Sequence, residues 1–328
     1  MPTLSIIIPI YNVERYLRRC LDALVEQSLL PYEVILVNDG TPDNSGTIAK
    51  EYADKYPFMR YIEQENQGVS AARNKGLSLA TGDFVTFCDS DDYYEVNFCE
   101  EISKAIEVYA AELYQFSYRE IGLPSMMMSS SLVPTGKVCF HTREELLSGR
   151  IDYKGMMVWR YVYCMDIIRE HQIAFPRGVT IAEDEIFCMR YFRYTHKMVY
   201  LDNAYYVYDR HEDSLTAISF GSFDPKSVAS FRQNALTLID DWGSDAPPLV
   251  RNRIEASLFS FTRSFLILPK LTKAHLKTLR NGIKEIMDKA AANGIQFEME
   301  RRYRLMYYLF PLYRWAYRGK RRLRQWLK

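Results

Sequence analysis

The sequence has no uncharged apolar run approaching the ~18 residues that a membrane-crossing helix requires. Its opening segment, residues 1–13, is apolar but lacks a basic leader and a small-residue cleavage site, so it reads as a strand and not a signal peptide. The six cysteines (Cys20, Cys88, Cys99, Cys139, Cys164 and Cys188) include no C-x-x-C pair and no zinc-like spacing. That pattern excludes a zinc module and favours a reduced, cytoplasmic protein over a disulfide scaffold. There is no internal repeat. Neither sign of charge dominates, with 42 Lys and Arg against 41 Asp and Glu. Hydrophobic residues at 48% and charged residues at 25% exclude disorder and collagen-like repeats. The 328 residues suffice for one large domain with an appendage, or for two modest domains.

The net charge of +1 conceals an asymmetry: residues 301–328 carry ten Lys and Arg and no Asp or Glu. The remainder holds 32 basic and 41 acidic residues, a balance of −9. An acidic body with a basic tail predicts that the tail meets an anionic partner. Pro311 suits the first turn of a final helix. In that helix Leu312, Ala316, Leu323 and Leu327 fall on one face, and Arg314, Arg318 and Arg321 on the other. This pattern suits the interface of an anionic membrane. A helix docked on the rest of the protein, or RNA bound through arginine and stacking aromatics, are the alternatives. No nucleic-acid module accompanies the tail, so no nucleic-acid partner is expected.

Over the first hundred residues, short apolar runs (Ser5–Ile10, Val34–Val37, Phe58–Glu63, Phe84–Cys88) alternate with helical periodicity. The stripe Val13, Tyr16, Leu17, Cys20, Leu21, Leu24, Val25 is amphipathic. Helices are also expected from Ser45 and over Val69–Ala80. This alternation predicts βαβ units and a mostly parallel α/β sheet. Further on, helices are expected over Glu101–Ala111, Trp159–His171 and Glu185–Tyr194, and strands over Leu113–Tyr118, Lys197–Leu201 and Ala204–Tyr208. Gly122–Gly136 reads as a surface loop. From Pro225 the pattern is almost wholly helical, which places a boundary near residues 218–225.

Ligands on parallel sheets bind past the carboxyl ends of strands, and polar clusters stand at three such ends. They are Pro9-Ile10-Tyr11-Asn12, Asn38-Asp39-Gly40-Thr41-Pro42-Asp43 and Asp89-Ser90-Asp91-Asp92. Two aspartates one residue apart on an extended segment point to opposite sides, so Asp89 and Asp91 can serve two different groups. With Asn66-Gln67-Gly68-Val69-Ser70-Ala71-Ala72-Arg73-Asn74, these clusters resemble the donor-binding half of family 2 glycosyltransferases. The resemblance covers residues 3–100 and returns at residues 159–216.

It implies a GT-A fold over residues 1–220, with a nucleotide-sugar half (1–100) and an acceptor half (101–220). A helical C-terminal region, 221–328, ends in the basic tail 301–328. Asp39 would accept the N3–H of a uracil or thymine ring, unless it only forms a turn or helix cap. Asp89 would take the ribose, and Asp91 would take Mn²⁺ or Mg²⁺ with help from Asp89 and His211. Pro9, Tyr11, Asn12 and Ser90 would line the donor site. Arg73 would reach the nucleotide or its phosphates, and Arg210 would stabilise the leaving diphosphate. The segment Trp159…Glu183-Asp184 resembles the family's acceptor side, with Asp184 as the base and Glu183 as its substitute. Helix capping is the plainer reading of that acidic pair.

The resemblance thus implies an inverting, metal-dependent enzyme. It would move a sugar from a nucleotide-sugar, UDP-linked, to a glycan or lipid-linked acceptor in surface-polysaccharide synthesis. It would work at the cytoplasmic face of the membrane as a peripheral protein. Two alternatives remain open. A sugar nucleotidyltransferase would show a Gly-rich basic loop near its N-terminus, and residues 8–12 have none. A non-catalytic scaffold recruiting partners through the basic C-terminus is the other.

Overall fold

The computed structural model describes residues 1–123, 136–149, 156–179, 181–212, 225–268, 270–297, 307–312 and 314–315. Most of the expected 122–136 loop therefore lies outside the described residues, as do Ala316, Arg318, Arg321, Leu323 and Leu327.

The first elements are β1 (Leu4–Ile10), α1 (Leu17–Val25), β2 (Glu33–Asn38), α2 (Ser45–Lys55), β3 (Met59–Glu63), α3 (Val69–Leu79) and β4 (Phe84–Phe87). β1 and β2 are buried along their whole length, as strands covered on both faces must be. α1 turns Leu17, Cys20, Leu21 and Leu24 into the core, which is the stripe legible in the sequence. Next come β5 (Tyr93–Tyr94), α4 (Phe98–Tyr109), β6 (Leu113–Gly122), β7 (Val138–Thr142), α5 (Arg143–Leu147), β8 (Tyr161–Cys164), α6 (Met165–Glu170), α7 (Glu183–Phe192) and β9 (Lys197–Arg210).

The sheet order is β3-β2-β1-β4-β8-β6-β9-β5, with β7 also on β9. β3-β2-β1-β4 is parallel throughout. Beyond it the sheet is mixed: β8 runs antiparallel between β4 and β6, β6 and β9 are parallel, and β5 and β7 oppose β9. The fold is mixed α/β.

Two sequence expectations need correction. Trp159–His171 is not one helix: a short 3₁₀ turn at Val158–Arg160 leads into β8, and α6 follows. Tyr161-Val162-Tyr163 is aromatic and β-branched, and a fully buried slot between β4 and β6 suits it as a strand. The two expected strands at 197–201 and 204–208 are a single strand, β9. Its register against β6 shifts on either side of Ser117, so a bulge absorbs the intervening polar residues.

Contacts divide the chain into two units. The first comprises Met1–Leu146, Arg150–Arg177 and Glu183–Ser214; the second comprises Leu147–Gly149, Gly178–Ala182 and Leu215–Lys328. The second unit holds α8 (Pro225–Trp242), α9 (Pro248–Ile267) and α10 (Lys273–Ala292) around Leu238, Ile239, Ile254, Leu258, Leu279 and Ile283. Thr272 opens α10 by accepting the His275 N–H at 3.1 Å. A Cβ at Gly282 would collide with the Phe261 ring, so this glycine sets how closely α10 approaches α9. Residues 307–310 are already helical, which places Pro311 beyond a first turn and corrects that expectation.

Candidate active site

The parallel strands β1, β2 and β4 end at one edge of the first unit, and the site is built there. Pro9 lies within β1, opposite Val37. Tyr11 beyond it is exposed, and Asn12 adopts a left-handed backbone (φ 56°) that its short polar side chain tolerates. The Asn12 N–H donates to Thr41 Oγ1 (2.8 Å), whose hydroxyl donates to Asp43 Oδ1 (2.6 Å), and this ties the end of β1 to the start of α2.

Asp39, past β2, is 2% exposed. Its Oδ1 accepts from Gln64 Nε2 (2.8 Å) and the Gln67 N–H (3.0 Å), and its Oδ2 accepts from the Gly68 N–H (2.7 Å). A carboxylate has about four acceptor positions, so about one remains for a ligand. Gly40 makes this packing possible: at φ 65° a Cβ would stand 2.9 Å from the Asn66 nitrogen. Asn38 is explained too. Tyr61 donates its hydroxyl hydrogen to Glu63 (3.2 Å), so position 38 must donate to Tyr61, and the amide does so at 2.8 Å.

Arg73, on α3, is the hub. The family resemblance has it reach the nucleotide or its phosphates; in the fold it is 3% exposed and paired with three carboxylates. Nη2 meets Asp89 Oδ1 (2.8 Å), and Nη1 meets Glu183 Oε1 (2.9 Å) and Asp184 Oδ1 (2.6 Å). Burial opposes its charge, but Asp184, Asp89 and Glu183 outweigh this and raise its pKa. Asn74 clamps the neighbouring segment through the Phe175 N–H (2.8 Å) and carbonyl (3.0 Å). The Phe175 ring centroid then lies 5.3 Å from the guanidinium. Glu183 and Asp184 occupy the first turn of α7, and Asp184 Oδ2 also accepts the Val158 N–H at 3.1 Å. Burial pushes the Asp184 carboxyl well above the usual carboxylate range against the pull of Arg73, and Glu183 and Asp89 add to the rise.

Asp89-Ser90-Asp91-Asp92 is a β-turn closed by Asp92 N–H to Asp89 O (3.0 Å), where an extended segment was expected. The two carboxylates nevertheless diverge. Asp89 faces Arg73, Asp91 faces His211, and Ser90 is buried between them. Asp91 Oδ2 stands 2.9 Å from His211 Nε2, and the His211 ring stacks on Tyr16 with centroids 4.2 Å apart. Arg210, the last residue of β9, lies 3.8 Å from Glu120. Among the described residues no group of three or more His, Cys, Asp or Glu is placed to hold a metal ion. Asp91 and His211 fit a Mn²⁺- or Mg²⁺-type ion only as a partial set. Such ions often take one or two protein carboxylates, with substrate phosphates and water completing the sphere.

The family model for "Glycosyl transferase family 2" matches residues 5–171, just over half of the chain. The chain belongs to this family. This family 2 chain is 33% identical over 226 residues to the uncharacterized glycosyltransferase EpsJ of Bacillus subtilis, covering 67% of the chain and 64% of EpsJ. It is 32% identical over 249 residues to the putative glycosyltransferase EpsH of the same organism, covering 72% of the chain and 69% of EpsH. Among solved structures, Staphylococcus aureus TarS in complex with UDP-GlcNAc matches with a TM-score of 0.67 at 22% identity, over 88% of this chain and 83% of that one. The TarS likeness establishes a GT-A-type fold.

Nothing local in the sequence marks the supports that hold the aspartate turn after β4 in place. Asp92, fully buried, accepts the Asp209 N–H (2.8 Å) and the Tyr206 hydroxyl (2.8 Å), while that hydroxyl accepts the Asp89 N–H (3.1 Å). Arg19, from α1, donates to Asp91 O (2.8 Å) and pairs with Asp209 (2.7 Å). Asp92→Ala strips partners from a buried N–H and a buried hydroxyl. It is expected to cost about 1–3 kcal/mol per orphaned group, read from denaturant midpoints. It should also weaken nucleotide binding more than Glu51→Ala, at an exposed pair on α2.

Proposed function

We propose that the chain is an inverting glycosyltransferase that binds a UDP-sugar and transfers the sugar to a hydroxyl of a glycan or lipid-linked acceptor in cell-surface polysaccharide synthesis. One observation carries the reading: a single buried arginine holds the acidic pair of α7 beside the first aspartate of the turn after β4. That juxtaposition joins a candidate base to a candidate donor site. The TarS complex with UDP-GlcNAc supports the choice of UDP.

In this reading Asp39, with its remaining acceptor position, takes the N3–H of the uracil. Asp89 takes the ribose side, and Asp91 with His211 takes a divalent cation. Bound there, the cation would neutralise charge growing on the diphosphate. The acceptor oxygen attacks the anomeric carbon as the bond from that carbon to the UDP oxygen breaks, and UDP leaves with the electron pair. Asp184 receives the acceptor proton. Its raised pKa suits the task, because a more basic carboxylate removes a hydroxyl proton more readily while the new bond forms. A single displacement inverts the anomeric centre. Arg73 keeps Glu183, Asp184 and Asp89 in fixed relation, and Arg210 faces the leaving group from the end of β9. All six cysteines are free thiols, which suits a cytoplasmic site of action.

The test is nucleotide release from a panel of UDP-, GDP- and dTDP-sugars with glycan and lipid-linked acceptors, in Mn²⁺ and in EDTA. Release from one UDP-sugar with an acceptor, yielding an inverted linkage, is expected. No release from any donor by folded protein would overturn the enzyme reading and leave the scaffold.

A further inference from the structure

Outside the site, the conspicuous surface lies on the helical residues 307–312 and 314–315 of the second unit. At about 100° per residue, Tyr308, Leu312 and Trp315 fall within roughly a 60° arc, with Phe310 on the opposite side. The accessibilities follow this split. Phe310 is fully buried, whereas Tyr308 is 69%, Leu312 64% and Trp315 78% exposed, and Leu309 beside them is also exposed. The inner face is fastened: Arg280 Nε donates to the Tyr307 carbonyl (3.2 Å), and the Arg314 guanidinium donates to the Leu268 carbonyl. Among the described residues, docking on the second unit therefore uses the Phe310 side and leaves two aromatic and two aliphatic residues exposed.

We propose that this Tyr308–Leu312–Trp315 face lies in the interface of an anionic lipid bilayer, with the helix in the membrane plane. Two observations select this occupant. Residues 301–328 carry ten cationic side chains and no acidic one, which complements anionic headgroups. Tyr and Trp favour the headgroup level, with an apolar ring body and a polar edge, while Leu309 and Leu312 suit acyl chains. No helix among the described residues is long and apolar enough to cross a membrane. A second copy of the chain fits poorly, because a two-fold contact would bring two strongly cationic tails together. RNA fits poorly as well: it would use the aromatic rings for stacking but not the two leucines.

Full-length protein is sedimented with phosphatidylcholine vesicles, with or without phosphatidylglycerol, at low and high salt. Tyr308→Ser/Leu312→Ser/Trp315→Ser runs in parallel, its thermal melt serving as the check on folding, since all three side chains are exposed. The expected result is binding only to phosphatidylglycerol vesicles, weakened by salt and reduced about tenfold or more in the triple variant. Trp315→Phe should lose part of the blue shift in tryptophan fluorescence seen on vesicle binding. Equal vesicle binding by folded triple variant and wild type would overturn the proposal, as would no binding by wild type. A concentration-dependent dimer, or RNA binding without vesicle binding, lost in the triple variant, would assign the stripe to those partners instead.

Discussion

Asp184→Asn is expected to lower kcat by about 10²–10⁴-fold, the usual contribution of a positioned general base. Asparagine keeps the shape and can still accept the Val158 N–H, but it cannot receive a proton. UDP binding should change far less than kcat, because Asp184 contacts Arg73 and Val158 and not the Asp89–Asp92 turn. The pH profile gives a second reading of the same group. A base works only when deprotonated, and burial raises the Asp184 pKa, so the acid limb of wild-type activity should lie above the ordinary carboxylate range. Activity is lost as pH falls through that raised value. The residual activity of Asp184→Asn should lack this limb. A kcat unchanged by the substitution would assign the acidic pair to helix capping.

Arg73→Met is the substitution expected to cost most in stability. It removes the guanidinium shared by Asp89, Glu183 and Asp184 and leaves partly buried carboxylates facing one another. Breaking a buried charge cluster by deleting one partner typically costs about 3–5 kcal/mol, because the remaining charges stay desolvated and repel. The denaturant midpoint should fall accordingly. Arg73→Lys should recover only part of the loss, since an ammonium cannot present the two guanidinium nitrogens that divide Asp89 from the Glu183–Asp184 pair. A loss below about 1 kcal/mol for Arg73→Met would mean that the carboxylates relax into water and that the hub is not structural.

How much of this was legible depends on sequence distance. β1 to β4 and their helices follow from local periodicity, and the three strand-end clusters follow from strand ends. The acidic pair opening α7 was legible by resemblance. Residues whose roles depend on the order of distant strands were not. Asp92 meets the Asp209 N–H 117 residues away only because β5 pairs with β9 at the far end of the sheet. In the sequence Arg19 is indistinguishable from any exposed helix arginine, and nothing local marks Arg73 as buried. Tyr161-Val162-Tyr163 was misread as helix because a short apolar run fits either period, and only the slot between β4 and β6 decides. Trp315 was visible in the sequence, but its exposure on the face opposite Phe310 was not.

The edge formed by β1, β2 and β4 is proposed to bind a nucleoside diphosphate through aspartates. Calorimetric titration of UDP, GDP, CMP and dTDP into the purified protein, with Mn²⁺ and then with EDTA, tests it most directly, with Asp91→Asn alongside. UDP is expected to bind in Mn²⁺ in preference to the others, with EDTA and Asp91→Asn each weakening it. Folded protein that binds none of the four in Mn²⁺ would rule out a nucleotide site at this edge.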